Sequence, residues 1–315
     1  MVDLITYVTR MPGPGETIEA PRFAMGCGGK GANQAVAAAQ LGASVVMVSK
    51  VGDDIFGDNT IRNFQRYAID THHVEKVTGV SSGVAPIFVE PSGENSILII
   101  KGANDTLVPA DIDRAAADLE SCDLILLQLE IPLETIYYAI AFARRHAIET
   151  LLNPAPASRD LDLGRISDTT FLVPNETELA ILTNLPVGSL AEIEAAAQRL
   201  IASGIRTVIV TMGARGALLV TARGSQQFAS VKVVPKDTTG AGDAFIGSFA
   251  AHYAESRSVE PAIRQAVRYA ADSITKPGTQ SSFAGRQEFA AWLDQLERAE
   301  TREDSLRRLQ GRASA

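Results

Sequence analysis

The feature that most constrains this chain is a repeated alternation: short β-branched or leucine-rich runs at 45–48, 124–127, 150–152, 171–173 and 207–210, each followed by an amphipathic stretch. Continuous apolar runs of strand length are what strands buried on both faces look like, and the intervening helical periodicity supplies the covers. The expected fold class is therefore α/β, a three-layer arrangement with a mainly parallel central sheet flanked by helices. Two regions break the alternation. Between Gly83 and Ile100 the apolar runs 84–89 and 96–100 flank Pro91-Ser92-Gly93-Glu94, a hairpin with a longer loop. The text around Pro12 to Phe23 is also strand and turn. These pieces, about 4–25 and 80–101, are expected to pair as a small β-sheet, a lid over a site on the larger domain. One domain spans 1–298, and 299–315 reads as a terminal helix fraying into a charged tail.

Composition excludes several functions. A net charge of -8 and a pI near 5.1 leave no basic face for nucleic acid or an anionic membrane, so a small molecule is the expected partner. The two cysteines, Cys27 and Cys122, are far apart and only four histidines exist, so neither a disulfide framework nor a Cys/His zinc cluster can be built. A reducing cytoplasm is the expected setting. No segment approaches the roughly 18 apolar residues of a membrane span. The pair His72-His73 reads as solvated, and Phe289, Trp292 and Leu296 have the spacing of a helix core face.

Chemistry concentrates in a few loops. In Asp237-Thr238-Thr239-Gly240-Ala241-Gly242-Asp243 the glycines permit a tight turn that exposes N–H groups, and a helix starting there adds its positive dipole end. That is an anion cradle suited to phosphate. A carboxylate at its mouth, Asp243, can accept the proton of a hydroxyl attacking the held phosphoryl group. The plain alternative makes Asp243 a helix N-cap. A second motif, Gly26-Cys27-Gly28-Gly29-Lys30-Gly31-Ala32-Asn33-Gln34, runs into an alanine-rich helix. It matches the spacing of a dinucleotide loop, with Asp53 downstream, yet Pro21 and Arg22 interrupt the buried strand such a loop must follow. Read otherwise, its close backbone with Lys30 and Asn33 offers hydrogen-bond donors to sugar hydroxyls.

Pro174-Asn175-Glu176-Thr177-Glu178 follows the run 171–173. Asn175 and Glu178 have capping-box spacing, and a carboxylate at a strand end can also hold hydrated Mg²⁺ while Asn175 touches phosphate. Thr211-Met212-Gly213-Ala214-Arg215-Gly216 is a turn whose glycines admit a nucleotide close to the backbone. Glu130 and Asn153 are polar groups at further strand ends, where open α/β sheets place their ligands.

On these residues the chain resembles the ribokinase family of sugar kinases. The segments 28–35 and 237–245 are similar to that family's N-terminal and C-terminal signatures, and the likeness runs from Asp3 to about Leu296. The resemblance implies ATP-dependent phosphorylation of the primary hydroxyl of a pentose, D-ribose first, with 2-deoxyribose or another free sugar as alternatives. It implies that Asp3, Gly29, Lys30, Asn33 and Glu130 hold the sugar and that Asp243 deprotonates its 5-hydroxyl. Asn175, Thr211, Gly213, Gly216, Ala241 and Gly242 serve ATP on the same grounds, with Gly240 to Asp243 as anion hole and Glu178 positioning Mg²⁺ through water. It further implies a monovalent cation, K⁺, held by Asp237 and Thr239 with backbone from 274–279, and a homodimer paired through the lid.

The front departs from the family pattern, in which a buried strand leads into Gly-Ser-x-Asn-x-Asp. Here Met1-Val2-Asp3 opens the sequence, so Met1 stands where the sugar-contacting Asn is expected. Either the start codon is misassigned or the chain lacks its first strand, and in the second case a non-catalytic sugar or nucleotide sensor is the competing function. Asp3, with two residues before it, reads either as loop chemistry or as ordinary surface.

Overall fold

The computed structural model describes residues 1–92 and 94–298. In chain order its strands are β1 (Val2–Tyr7), β2 (Arg22–Cys27), β3 (Ser49–Gly52), β4 (Val74–Val77), β5 (Val84–Val89), β6 (Asn95–Ile97), β7 (Leu124–Leu127), β8 (Glu149–Leu152), β9 (Phe171–Leu172), β10 (Thr207–Thr211), β11 (Ala217–Thr221) and β12 (Gly224–Phe228). The helices are α1 (Lys30–Gln40), α2 (Ile55–Arg66), α3 (Pro109–Arg114), α4 (Ala116–Leu119), α5 (Leu133–Arg145), α6 (Glu176–Thr183), α7 (Leu190–Ala202), α8 (Ala241–Ser256) and α9 (Val259–Ser273), with a further helix over 286–298.

Six strands form the central sheet in the order β12-β11-β10-β9-β8-β7. From β7 to β10 the pairing is parallel, and β11 and β12 extend the sheet as antiparallel hairpin strands. The parallel strands are the leucine and β-branched runs of the sequence, and their residues are buried on both faces. One face packs against α5 and α7 through Ile136, Ile140, Ile193 and Leu200. The other packs against α8 and α9, where Phe171, Phe249 and Tyr253 stack edge-on and face-on with centroids 4.8 to 5.6 Å apart. Side chains of this size contribute roughly 1.5–3 kcal/mol each when fully buried. A third cluster joins α1, α8 and the helix 286–298 around Tyr269, and it contains Phe289 with Trp292 packed beside it.

A separate four-stranded sheet has the order β2-β1-β5-β6. The hairpin expected between 84 and 100 forms, with Ile87 opposite Ile97 and Val89 opposite Asn95. Around 12–23 the structure differs: the strands lie at either end, in β1 and β2, and the proline- and glycine-containing stretch between them is turn and coil. Asp3 is therefore neither loop nor ordinary surface; it belongs to β1, paired with Gly26 on one side and Ala85 on the other.

The run 45–48 also departs from expectation. It makes a single bridge, Val46 to Asp70, and the regular strand begins only at Ser49. The two sheets β3-β4 and β7-β12 do not join, so this run has a neighbour on one side only. The expected tail at 299–315 lies outside the described residues. Among the described residues no helix is long and apolar enough to cross a membrane.

Candidate active site

Two helix starts, more than 200 residues apart in sequence, meet at the carboxyl ends of the central strands. Gly240 begins α8 in the left-handed region, φ 76°, and a Cβ there would lie 2.3 Å from the Thr279 methyl. Only glycine turns the chain into the helix at this point. Asp243 falls in the first turn of α8 and does not cap it; the N-cap is Gly240. The first-turn amides of a sixteen-residue helix, here Ala241, Gly242 and Asp243, have no acceptors within the helix. The Ala241 amide is bonded to the Thr238 carbonyl at 3.2 Å.

The Asp243 carboxylate is buried, and α1 supplies its partners. Asn33 donates from Nδ2 to Oδ2 at 2.9 Å and Gln34 donates from Nε2 to Oδ1 at 2.9 Å. Burial pushes this carboxyl above its ordinary range, opposed by Lys30 and by the two amide donors. Asn33 is itself held, since its Oδ1 accepts from Gln280 at 2.9 Å. Gln34 is the hub of a longer chain: its Oε1 accepts from Gln128 at 2.6 Å, and its Nε2 also reaches Asn153 Oδ1 at 3.2 Å. Asn153 in turn donates to the Val173 carbonyl. The sequence singled out Asn33 but assigned no role to Gln34, Gln128 or Gln280. The available signal was a glutamine beside Asn33 on the alanine-lined face that α1 buries.

Lys30 opens α1, and its amide donates to Glu130 Oε2 at 2.8 Å. Gly29, φ 89°, packs where a Cβ would stand 3.0 Å from the Met1 Cβ and 3.5 Å from Glu130. A Cβ on Gly28 would fall within 2.2 Å of the Asp3 carboxylate. Asp3, Gly29, Lys30, Glu130 and Asp243 are thus brought to one place, with Met1 among them. Burial raises the Glu130 carboxyl, opposed by Lys30. Burial also pushes Asp3 up to about 6, the N-terminal ammonium opposing and Asp243 adding to the rise.

The nucleotide-side predictions are placed as follows. Asn175 and Glu178 form the capping box of α6: each backbone amide donates to the other's side chain at 2.8 Å, and Asn175 Nδ2 donates to Glu178 Oε1 at 3.0 Å. Burial raises Glu178, with Lys30 opposing and Asp243 adding, so its charge is felt in the same site. Thr211 ends β10 and bridges to Asn175. Gly213 is open to its surroundings, whereas a Cβ on Gly216 would meet the Phe228 carbonyl at 1.9 Å, so Gly216 serves the β11-β12 hairpin. Asp237 accepts from the amides of Thr239 and Gly278, both at 2.9 Å. Burial raises its carboxyl, and those bonds outweigh burial, leaving it below the ordinary range. Asp237, Thr239 and 274–279 are therefore together, but the Ile274 carbonyl is already engaged by the amides of Lys236 and Asp237.

The dinucleotide alternative finds no support in this geometry. The strand before the glycines is β2, a largely exposed antiparallel strand of the small sheet, and Asp53 is an exposed residue near Lys76.

A buried carboxylate beside a helix start, on a three-layer α/β frame with a separate small sheet, is an arrangement suited to phosphoryl transfer. The chain belongs to the pfkB family of carbohydrate kinases, whose family model matches residues 1–309. Deoxyribokinase of Salmonella typhimurium is 57% identical over 293 residues, covering 93% of this chain and 96% of that protein. Ribokinase of Schizosaccharomyces pombe is 39% identical, covering 89% and 91%. Among solved structures, Thermotoga maritima ribokinase has a TM-score of 0.84 at 35% identity, covering 93% and 96%; Arabidopsis thaliana ribokinase complexed with ribose and ATP has 0.87 at 27%, covering 92% and 95%. The fold is ribokinase-like, as its sequence motifs suggest, and the enzyme is a sugar kinase.

Proposed function

We propose that this kinase transfers the γ-phosphoryl group of ATP to the 5-hydroxyl of a free pentose, and that 2-deoxyribose is its preferred acceptor. The sequence alone put D-ribose first. The observation that moves the choice is Met1. Its side chain is buried against Gly29, beside Glu130 and Asp3, at the position where the family resemblance expects a sugar-contacting Asn. A thioether does not satisfy a buried hydroxyl, and leaving one unsatisfied costs about 1–3 kcal/mol. A sugar lacking the 2-hydroxyl avoids that cost. The 57% identical relative, a deoxyribokinase, supports the same choice.

In this reading Asp3, Gly29, Lys30, Asn33 and Glu130 surround the sugar, and Asp243 takes the 5-hydroxyl proton. The amides from Gly240 to Asp243 form the anion hole. Asn175, Thr211 and Gly213 line the nucleotide side, with Ala241 and Gly242 at the phosphates; Gly216 acts by shaping the neighbouring hairpin. Both Glu178 oxygens accept from Asn175, so their remaining lone pairs suit a hydrated Mg²⁺ rather than a directly bound one. Mg²⁺ bound with the nucleotide neutralises phosphate charge. Asp237 and Thr239 with carbonyls of 275–279 fit a K⁺ site, the Ile274 carbonyl being committed elsewhere. The lid exposes Phe23, Met25, Ile97 and Leu98, which supports pairing of two lids as a homodimer. Free Cys27 and Cys122 accord with a reducing cytoplasm.

An ADP-release assay over 2-deoxyribose, ribose, fructose and nucleosides, with and without K⁺, tests the assignment. The expected kcat/KM for 2-deoxyribose exceeds that for ribose by about 10-fold, the lower part of what one unsatisfied hydroxyl brings. Equal or better use of ribose refutes the preference.

A further inference from the structure

The pair His72-His73 reads as solvated in the sequence, yet the structure turns both rings onto one point. In an extended chain neighbouring side chains leave on opposite faces. Here a turn from Thr71 to Val74, closed by the Val74 amide on the Thr71 carbonyl at 2.9 Å, stands between α2 and β4 and brings the ring centroids within 3.7 Å. Both Nε2 atoms reach one oxygen of Asp118 on α4, His72 at 2.9 Å and His73 at 2.8 Å, across 46 and 45 residues of sequence. His72 stays half exposed, but His73 keeps only 16% of its side-chain surface.

The other edge of His72 fixes its chemistry. Asp70 Oδ1 accepts from the His72 amide at 2.9 Å and lies 2.8 Å from its Nδ1, so Nδ1 carries a proton. In the neutral ring Nε2 is then a lone pair, and it faces an Asp118 oxygen that has only lone pairs of its own. Two acceptors 2.9 Å apart repel unless something positive joins them. A carboxylate behind one ring nitrogen, with the other nitrogen presented forward, is the outer-shell arrangement that orients histidine ligands on metals. One ligand atom from each of His72, His73 and Asp118 lies within 4.8 Å of the others. Around a tetrahedral ion with bonds of about 2.0–2.1 Å, neighbouring ligand atoms stand roughly 3.3–3.4 Å apart, so the rings and the carboxylate need part by only about half an ångström.

We propose that His72, His73 and Asp118 bind a divalent transition-metal ion, Zn²⁺, with Asp70 orienting His72 from behind and water completing the shell. Two imidazoles and one carboxylate suit Zn²⁺, whereas Mg²⁺ takes oxygen ligands. Counting cysteines and histidines excludes a Cys/His cluster, but that count omits a carboxylate delivered by a distant helix. The ion takes no part in phosphoryl transfer. Asp118 precedes β7, at the amino end of that strand, whereas Glu130 follows its carboxyl end and marks the sugar side. The ion acts as a clamp: it ties the connection from α2 to β4, and with it the β3-β4 sheet, to the helix that leads into β7.

The test titrates untagged, chelator-treated kinase with Zn²⁺ alone, without nucleotide or Mg²⁺, by calorimetry. One ion per chain should bind with a Kd of about 10 µM or tighter, though less tightly than at a closed four-ligand site. His72→Gln, His73→Gln and Asp118→Asn should each weaken that binding by at least about 10-fold, and Asp70→Asn by about 10-fold through the orientation of His72. With free Zn²⁺ at about 100 times Kd, the melting temperature of the parent should rise by about 3–5 °C, and that of His72→Gln should not move. Co²⁺ in place of Zn²⁺ should give the parent the visible absorption of a four- or five-coordinate ion with nitrogen ligands, a reading that needs no variant to fold. Without metal the variants should phosphorylate sugar at the parent's rate, since none of these residues touches the site. Affinity unchanged in the three ligand variants places the ion elsewhere and overturns the proposal. So does a Kd weaker than that stated, a Co²⁺ spectrum without nitrogen ligands, or a His72 ring that stays doubly protonated in the presence of Zn²⁺, read by ¹⁵N NMR. None of these readings depends on which sugar is phosphorylated.

Discussion

Replacing Gln34 with Met tests how the site sets the basicity of Asp243. The substitution keeps length and volume but removes the donor that Gln34 Nε2 offers to Asp243 Oδ1 at 2.9 Å. Both groups are buried, Gln34 fully, so water does not replace the lost bond. A hydrogen bond to a charged group contributes about 1.5–3 kcal/mol, and one pKa unit corresponds to about 1.4 kcal/mol. The Asp243 carboxyl, already raised by burial, should therefore rise further. The sign is fixed by the role: a base must be ionised, so the acid limb of the kcat/KM against pH profile moves to higher pH. Turnover should hold on the alkaline side and fall away at a higher pH than in the parent. Asp3, pushed up to about 6 by burial, makes no bond to Gln34, so the substitution acts on it only through the charge of Asp243. The Gln128 amide and Asn153 carbonyl also lose their partner, and a lower melting temperature accompanies the change. A limb that stays in place, or moves to lower pH, would refute the assignment of Asp243 as the titrating base.

Three further outcomes follow from the same geometry. Asp243→Asn should lower kcat by at least about 10²-fold while ATP, measured by calorimetry, still binds within a few-fold of the parent affinity. Asp3→Asn should reduce the pH dependence of stability: an acid raised on folding from 3.8 to about 6 favours the fold when protonated, so as pH climbs from 4 to 7 the parent should lose up to about 3 kcal/mol more than the variant, as denaturant titrations at several pH values would show. Gly247→Ala places a Cβ 2.5 Å from the Ala37 Cβ and 2.6 Å from the Gln34 carbonyl, forcing α8 away from α1; kcat should fall by about 10²-fold though no substrate contact is touched, because displacements near 1 Å cost about that much.

Much of the architecture was legible because buried parallel strands leave unbroken apolar runs, and β7 through β10 fall on the runs read from sequence. The lid hairpin was legible from Pro91 and the apolar runs on either side. Two failures have physical causes. The run 45–48 has strand composition but a neighbour on one side only, and strand regularity depends on pairing that composition cannot report. On its own loop Asp243 reads first as a helix cap; the left-handed turn at Gly240 shifts the helix start by three residues and frees the carboxylate for α1. The glutamines were missed for a related reason. Gln34 matters only because Gly247 lets α8 approach α1 closely enough for their side chains to interlock, and such proximity is written in neither motif alone.

The charge balance of the site explains why its parts act together. Asp3, Glu130, Glu178 and Asp243 converge, burial raises each of their carboxyls, and Lys30 is the cation that offsets Glu130, Glu178 and Asp243. Asp243 in turn pushes up Asp3, Glu130 and Glu178, so no one of them ionises independently. Carboxylates in this state are strong acceptors in search of donors. A sugar supplies hydroxyl donors to the oxygens that face it, and each bond made favours the ionised form of its acceptor. In the proposed assignment, hydroxyl bonds to Asp243 itself favour its ionised form, whereas bonds that hold its neighbours charged oppose it, so the bonds to Asp243 must win for it to act as base. On the same assignment, a molecule that enters without the hydroxyls that face these carboxylates leaves them unpaired and is disfavoured by the cost of that burial, whereas the 2-hydroxyl, set against Met1, is not among them.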